Sequence, residues 1–293
     1  MLSRGDAAMH RLPIRCVSRR KPERENTSNL DATRGAAGFL LRLRPTRKTR
    51  MNYNWNWRIF WQESPNGVET YLDLLISGLQ WTIFVAICSW IIALTIGSFI
   101  GVMRTTKSRF WNVFGQAYVE LFRNIPLLVQ MFLWYFVVPE LLPSAIGTWI
   151  KQLPNSSAYT AILCLGLFTS ARIAEQVRAG IQSLPSGQRM ASLALGLTSR
   201  QSYRHILLPI AYRIMLPPLT SEFLNNFKNT SVTFAIGVME LMAQTRSMSE
   251  FSFQVFEALT AATILYLTVN LIVVMIARQL ERKLAVPGFM TSH

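Results

Sequence analysis

From Leu74 to Met103 the chain runs thirty residues without a charged side chain. A helix needs only about 20 apolar residues to cross the hydrocarbon core of a bilayer. Lipid offers no water to satisfy backbone N–H and C=O groups, so such a run has to be helical. That one stretch argues against a water-soluble fold, and composition agrees. Hydrophobic residues make up 51% of the chain and charged residues 15%, where soluble domains carry about 25% charged.

Arg104, Lys107 and Arg109 follow the run at once. Basic residues are retained on the cytoplasmic side, which fixes the direction of this first crossing. A second crossing is expected from about Val113 to Pro139, with Glu120 and Arg123 near its cytoplasmic end. Pro139, Pro143 and Pro154 mark the extracytoplasmic loop after it. A third runs from about Ser157 to Gly180, and Arg178, Arg189, Arg200 and Arg204 place the following loop in the cytoplasm. The fourth, about Tyr203 to Asn225, holds Arg213, Glu222 and three prolines, Pro209, Pro217 and Pro218, which are expected to bend or break it. Asn229 to Ala243 reads as a re-entrant or interfacial helix. The fifth crossing, Ala258 to Ala277, ends on Arg278, Arg282 and Lys283. The expected fold is an all-α integral membrane protein of about five transmembrane helices. Residues 71–285 form the membrane domain, 51–70 an extracytoplasmic segment and 286–293 a cytoplasmic tail. Trp55, Trp57, Trp61, Tyr71, Trp149 and Tyr159 read as interfacial anchors.

The net charge of +15 does not signal a nucleic-acid partner. Thirteen of the thirty basic residues, against four acids, fall in residues 1–50, and the rest flank apolar blocks. A phosphate-binding face would instead run along one element. Residues 1–50 carry no signal-peptide core. They read as a disordered basic tail, a targeting segment or an extension upstream of the working start. Five crossings with a cytoplasmic C-terminus would put this basic tail outside, against the positive-inside tendency, so a working start at Met51 is expected. Cys16, Cys88, Cys164, His10, His205 and His293 show no metal-ligand spacing.

The cytoplasmic loop after the third crossing carries the chemistry. It reads Gly187-Gln188-Arg189-Met190-Ala191-Ser192-Leu193-Ala194-Leu195-Gly196, then nine residues, then Ile206-Leu207-Leu208-Pro209. Pro185 and Ser186 can start a short helix, Gly196 can end it, and Thr198 with Gln201 fits a capping box that opens the next. Small residues at Ala191, Ser192 and Ala194 let another surface approach closely. This loop resembles the signature loop of ABC-importer permeases: an acid and two small residues, three residues, Gly, nine residues, then Ile-x-Leu-Pro. Met190 stands where the acid usually sits, and Ser192 replaces the second alanine.

The resemblance covers about residues 70 to 285. It extends through Glu120-Leu121-Phe122-Arg123-Asn124-Ile125-Pro126-Leu127-Leu128-Val129-Gln130, Glu175-Gln176-Val177-Arg178-Ala179-Gly180 and Lys228-Asn229-Thr230-Ser231, which are similar to polar amino-acid permeases. Leu167-Phe168-Thr169-Ser170-Ala171-Arg172 and Pro217-Pro218-Leu219-Thr220-Ser221-Glu222 are similar to glutamate/aspartate permease subunits. The resemblance implies the type I importer permease fold with a cytoplasmic coupling helix. It implies docking of an ATPase subunit on the loop through Gln188, Met190, Ala191, Ser192, Gly196, Ile206 and Pro209. A second permease subunit (a different chain), a periplasmic amino-acid-binding protein and a bacterial inner membrane are implied as well. No G-x-x-x-x-G-K-[ST] phosphate loop occurs, so no cofactor is expected in this chain. ATP and Mg would be held by the partner ATPase. A gradient-driven secondary transporter is the alternative; it would need coupling acids in its own spans.

Ionisable groups inside a span cost at least about 2.5 kcal/mol on insertion scales and therefore face protein or water. Arg172 is the foremost substrate-pathway candidate, because a guanidinium binds carboxylates bidentately and stays charged. The competing reading is an internal pair with Glu175 or snorkelling to the interface. Lys228, Thr230 and Ser231 are further pathway candidates. Arg123, Glu175, Arg178 and Glu222 are read as packing or gating residues. Mass spectra of the purified chain are expected to lack peptides from Leu12 to Arg44; their presence would overturn the working start at Met51.

Overall fold

The computed structural model describes residues 53–284 except Asn66 and Lys107, so the basic extension 1–50 and the tail 286–293 lie outside the described residues. Within the unit Trp55–His293, the described backbone meets its hydrogen-bonding needs with helices. One isolated antiparallel bridge, Glu63 to Thr70, is added before the first long helix. The helices are α1 (Tyr71–Met103), α2 (Arg109–Asn124), α3 (Leu127–Leu141), α4 (Ser144–Gln152), α5 (Ser156–Gln182) and α6 (Ser186–Ala194). They continue as α7 (residues 199–229), α8 (Leu241–Ser252) and α9 (Val255–Leu284). Short 3₁₀ turns lie at Trp57–Trp61 and Thr230–Ile236.

Three of these, α1, α5 and α9, are long and apolar enough to cross a bilayer. Their burial separates their places. Two-thirds of the apolar window of α5 (67%) is buried, against 6% for α9, so α5 is central and α9 peripheral. Helix α1 takes part in all four hydrophobic clusters. Leu74 and Leu75 pack with Leu241, Met248 and Ala258, and Val85 packs with Met131 and Leu165. Ala93 joins Ile173, Val177 and Met215, and Ile100 joins Val119 and Ala174.

What brings α1 and α5 together is a stripe of small residues. Ser89, Ala93, Gly97 and Gly101 recur every four positions and are buried, the spacing of one helix face. A Cβ added at Gly97 would stand 2.7 Å from the Ser170 carbonyl, and one at Gly101 would stand 2.8 Å from that of Ala174. Gly166 returns the arrangement from the α5 side, against Ile92 and the Ser89 carbonyl. Within lipid, where apolar surface gains little by leaving the solvent, such close backbone approach supplies the van der Waals contact that holds helices together.

The second expected crossing is not a straight rod. Helices α2 and α3 meet at an angle of 101°, with Ile125 and Pro126 between them. Pro126 has no N–H to continue the ladder, and the Gln130 side chain donates instead, through Nε2, to the carbonyls of Phe122 (2.8 Å) and Ile125 (2.9 Å). The fourth expected crossing lies within α7, but Arg213 and Glu222 keep it out of the set of apolar spans. Pro217 and Pro218 do not break it as expected; helix continues through both. The disturbance appears earlier, as a π turn at Tyr203–Leu207 ahead of Pro209, and a matching π turn at Leu133–Val137 precedes Pro139. The wider turn gives the proline ring room that an α-helical carbonyl would deny it. The expected re-entrant stretch resolves into the 3₁₀ turn Thr230–Ile236 and α8, with Gly237 left-handed at φ +85° between them.

Filling the helix contact should cost about 1–3 kcal/mol per site, because backbone rather than flexible side chain blocks the added atoms. Gly97→Ala and Gly101→Ala are expected to lower the melting temperature in detergent. Gly187→Ala, whose added carbon meets nothing within 4 Å, should leave it unchanged. Equal melting curves for all three would refute the small-residue contact.

Candidate functional site: a cytoplasmic coupling helix and a charged cavity

Helix α6 starts after Pro185 and ends in a Schellman arrangement. Leu197 N–H donates to the Ser192 carbonyl (3.2 Å) and Gly196 N–H to that of Leu193 (3.0 Å), with Gly196 left-handed at φ +80°. The expected capping box at Thr198 and Gln201 is present, and it launches α7 directly. Ser192 and Ser202 are buried and join hydroxyls at 2.6 Å, while Ser192 also donates to the Arg189 carbonyl. Ser192 therefore fastens α6 to α7. The expected docking residues accordingly divide. Met190, Ala191, Gly196 and Pro209 are exposed, Gln188 and Ile206 are half-buried, and Ser192 is interior. Leu193 and Leu195, which the loop pattern did not single out, are exposed beside Met190 and give this short helix an apolar outer edge.

Deeper in the bundle, α5 carries the charges. Glu175 Oε1 accepts from Arg104 Nη1 at 2.6 Å and lies 3.7 Å from Arg123 Nη1, while Oε2 faces Arg178 Nε at 3.3 Å. One carboxylate thus gathers guanidinium groups from α1, α2 and α5. The internal Arg172–Glu175 pair of the competing reading is not among the ion pairs of the described residues, where Glu175 is already surrounded. Arg172 turns instead to Glu222 of α7, Nη1 to Oε2 at 3.8 Å, and lies 5.1 Å from the centre of the Phe168 ring. That separation is within Coulomb attraction and beyond hydrogen-bond distance.

Arg123, Arg172, Glu175, Gln176 and Glu222 line one cavity of about 440 Å³. Gln176 Oε1 and Glu222 Oε2 are buried there without a hydrogen-bond partner among the described residues. Buried acceptors in that condition are costly unless water or a ligand reaches them. Lys228, Thr230 and Ser231 are not among its lining residues. Lys228 is exposed, Thr230 is fully buried with its hydroxyl on the Phe227 carbonyl (2.7 Å), and Ser231 is half-buried on that of Lys228 (2.8 Å). Sequence reading had used Arg104 only as a topology marker. Its role as the tightest partner of Glu175 depends on the α1–α5 contact, which no local pattern announces. Asn226 was missed for the same reason. Its amide donates to the Ala86 carbonyl and Ser89 Oγ, both at 3.0 Å, and accepts from Thr169 Oγ1 at 2.9 Å, tying α7 to α1 and α5.

The described residues form a helical domain with apolar candidate spans and a short capped helix, α6, between the long helices α5 and α7. The family described as binding-protein-dependent transport system inner membrane component matches residues 93–286, and this chain belongs to it. The chain is 49% identical over 243 residues to the glutamate/aspartate import permease protein GltJ of Escherichia coli K12, covering 82% of this chain and 99% of that one. It is 32% identical to the probable amino-acid ABC transporter permease protein PatM of Vibrio harveyi, over 73% of this chain and 92% of that one. A solved amino acid ABC transporter with histidines superimposes with a TM-score of 0.63 at 27% identity, over 73% of this chain and 95% of that one. The chain is thus an ABC-importer permease and a multi-pass membrane protein.

Neutralising Glu175 leaves Arg104, which is only 8% exposed, without its counter-charge. Loss of one member of a buried pair costs about 3–5 kcal/mol, and the partial exposure of Glu175 points to the lower end. Glu175→Gln is therefore expected to lower the melting temperature clearly in detergent, and Glu175→Asp less so. A melting temperature equal to wild type in Glu175→Gln would remove the ion cluster from any structural role.

Proposed function

We propose that this chain is the permease subunit of an ATP-driven importer for glutamate and aspartate in a bacterial inner membrane. A periplasmic binding protein delivers the amino acid, a separate ATPase holds ATP and Mg, and a second, different permease chain completes the pathway. The observation that carries the substrate class is the charge balance of the ion cluster beside the cavity. Arg123 and Arg172 line the cavity with Glu175 and Glu222, and Arg104 and Arg178, which are not among its lining residues, pair with Glu175. The cluster as a whole thus holds two guanidinium charges in excess, a local field that favours a substrate with two carboxylates and one ammonium over a neutral or cationic amino acid.

Arg172 is the residue placed to respond. Its contact with Glu222 is long, so a substrate carboxylate can take the guanidinium by bidentate hydrogen bonding while Glu222 is released. Glu175, held from three sides, keeps α1, α2 and α5 together while this exchange proceeds, and Arg123 lies on both the ion cluster and the cavity wall. Lys228 and Ser231, near the far end of α7, extend the pathway outward; Thr230 supports the turn that follows. At the cytoplasmic end, the apolar edge of α6 seats in the ATPase, with Met190 in place of a carboxylate, so the contact there is made by packing. Movement of α6 passes to α7 through the Ser192–Ser202 pair and the shared capping box. The GltJ resemblance supports the acidic substrate.

Uptake of labelled glutamate, aspartate, glutamine and arginine by cells with and without the gene tests this reading. Selective loss of glutamate and aspartate uptake is expected. Arg172→Gln should lower the transport rate about tenfold or more, the value of one charge-assisted hydrogen bond of about 1.5–3 kcal/mol, without loss of membrane-inserted protein. Loss confined to glutamine or arginine uptake, or full glutamate transport by Arg172→Gln, would overturn the acidic-substrate assignment.

A further inference from the structure

A separate cavity of about 570 Å³ opens where the cytoplasmic end of α1 meets the start of α7. Its wall combines Val102, Tyr203 and Leu208 with the guanidinium-bearing Arg189, Arg200 and Arg204. Tyr203 is fixed across the gap by its hydroxyl, which donates to the Thr105 carbonyl at 3.2 Å. The six ion pairs among the described residues include none of these three arginines. Among the described residues the cavity lining therefore holds three cations around an apolar floor and no acid to balance them. Its height is set by α1, whose apolar run ends at Met103, so the floor belongs to the membrane and the cationic rim to its cytoplasmic surface.

The geometry points to a binding site for an anionic phospholipid, its phosphate among Arg189, Arg200 and Arg204 and its first acyl carbons against Val102 and Leu208. A cationic rim over an apolar floor at the headgroup level matches an amphiphile in both halves. Basic pockets between membrane helices on this side recognise anionic headgroups through the same pairing. An acidic protein surface would complement the rim and leave the floor unfilled. Because Arg189 lies on α6 and Arg200 and Arg204 on α7, an occupied site bridges the coupling helix and the spanning helix it drives, so lipid charge stiffens that joint.

The test is native mass spectrometry of the intact transport complex, extracted from bilayers of equal phosphatidylglycerol and phosphatidylcholine with matched chains. Wild type is expected to retain phosphatidylglycerol in preference, at one per copy of this chain. Each basic residue near an anionic surface is worth about fivefold, so the double variant R200Q/R204Q should reduce that preference about 30-fold. R200K/R204K, which keeps the charges, should preserve it and controls for folding. Equal retention of the two lipids by wild type would overturn the proposal. Displacement of the retained lipid by millimolar inorganic phosphate would assign the rim to a free anion and overturn the lipid assignment. Loss of the ATPase from R200Q/R204Q with lipid preference intact would hand the surface to that partner and overturn it equally.

Discussion

Everything else in this bundle depends on how closely α1 and α5 approach. The small-residue stripe through Ser89, Ala93, Gly97 and Gly101 lets backbone meet backbone, and two longer-range features follow from it. Arg104, at the end of α1, comes within 2.6 Å of Glu175 on α5. Ser89 and Ala86 on α1 reach Asn226 on α7, which Thr169 of α5 also engages. A wider spacing would cost more than dispersion energy. It would strand a carboxylate, a guanidinium and an amide in a medium that cannot solvate them.

The polar groups divide into those fully engaged and those held loosely. Asn226 and Glu240 have their contacts from the protein itself, and so does Gln130 through its Nε2, though not its Oε1; the Glu240 carboxylate accepts from Ala243 N–H (2.8 Å) and the Tyr266 hydroxyl (3.0 Å). These fix the irregular stretches of the backbone, as lipid requires. Around the charged cavity the arrangement is slacker: Glu222 Oε2 has only a 3.8 Å ion pair, and neither it nor Gln176 Oε1 has a hydrogen-bond partner among the described residues. Rigid polar joints in one layer and exchangeable ones beside them let the cavity wall re-pair without loosening the frame.

Much of the fold was legible because its strongest signals are local. Uninterrupted apolar runs marked α1 and α9, and the turn chemistry at Pro185, Gly196, Thr198 and Gln201 gave the coupling helix and the start of α7 residue by residue. The loop spacing gave the family. What the sequence did not show are quantities settled between helices. Proline content implied bends or breaks at Pro209, Pro217 and Pro218; the helix continues through the last two, and the backbone yields at the π turns before Pro209 and Pro139. The 101° corner at Pro126 was hidden inside a single apolar stretch. Among site residues, Arg172 was identified by its isolation in an apolar run, yet its partner Glu222 was not foreseen. Spacing along one helix knows nothing of a carboxylate arriving from α7.

The π turn at Tyr203–Leu207 also acts as a register device. A π turn carries one more residue than the α-helical path it replaces, and one residue in an α-helix corresponds to about 100° of rotation. The azimuth at which α6 leaves α7, and hence the compass direction in which its apolar edge faces, is therefore set by a single surplus residue ahead of Pro209. A lineage that deleted it would keep the composition of both helices and the length of the span, while turning the apolar edge of α6 about a quarter of the way round the axis. The two helices are keyed to each other by a count of residues, so an insertion or deletion there re-aims a whole face where a substitution changes one side chain.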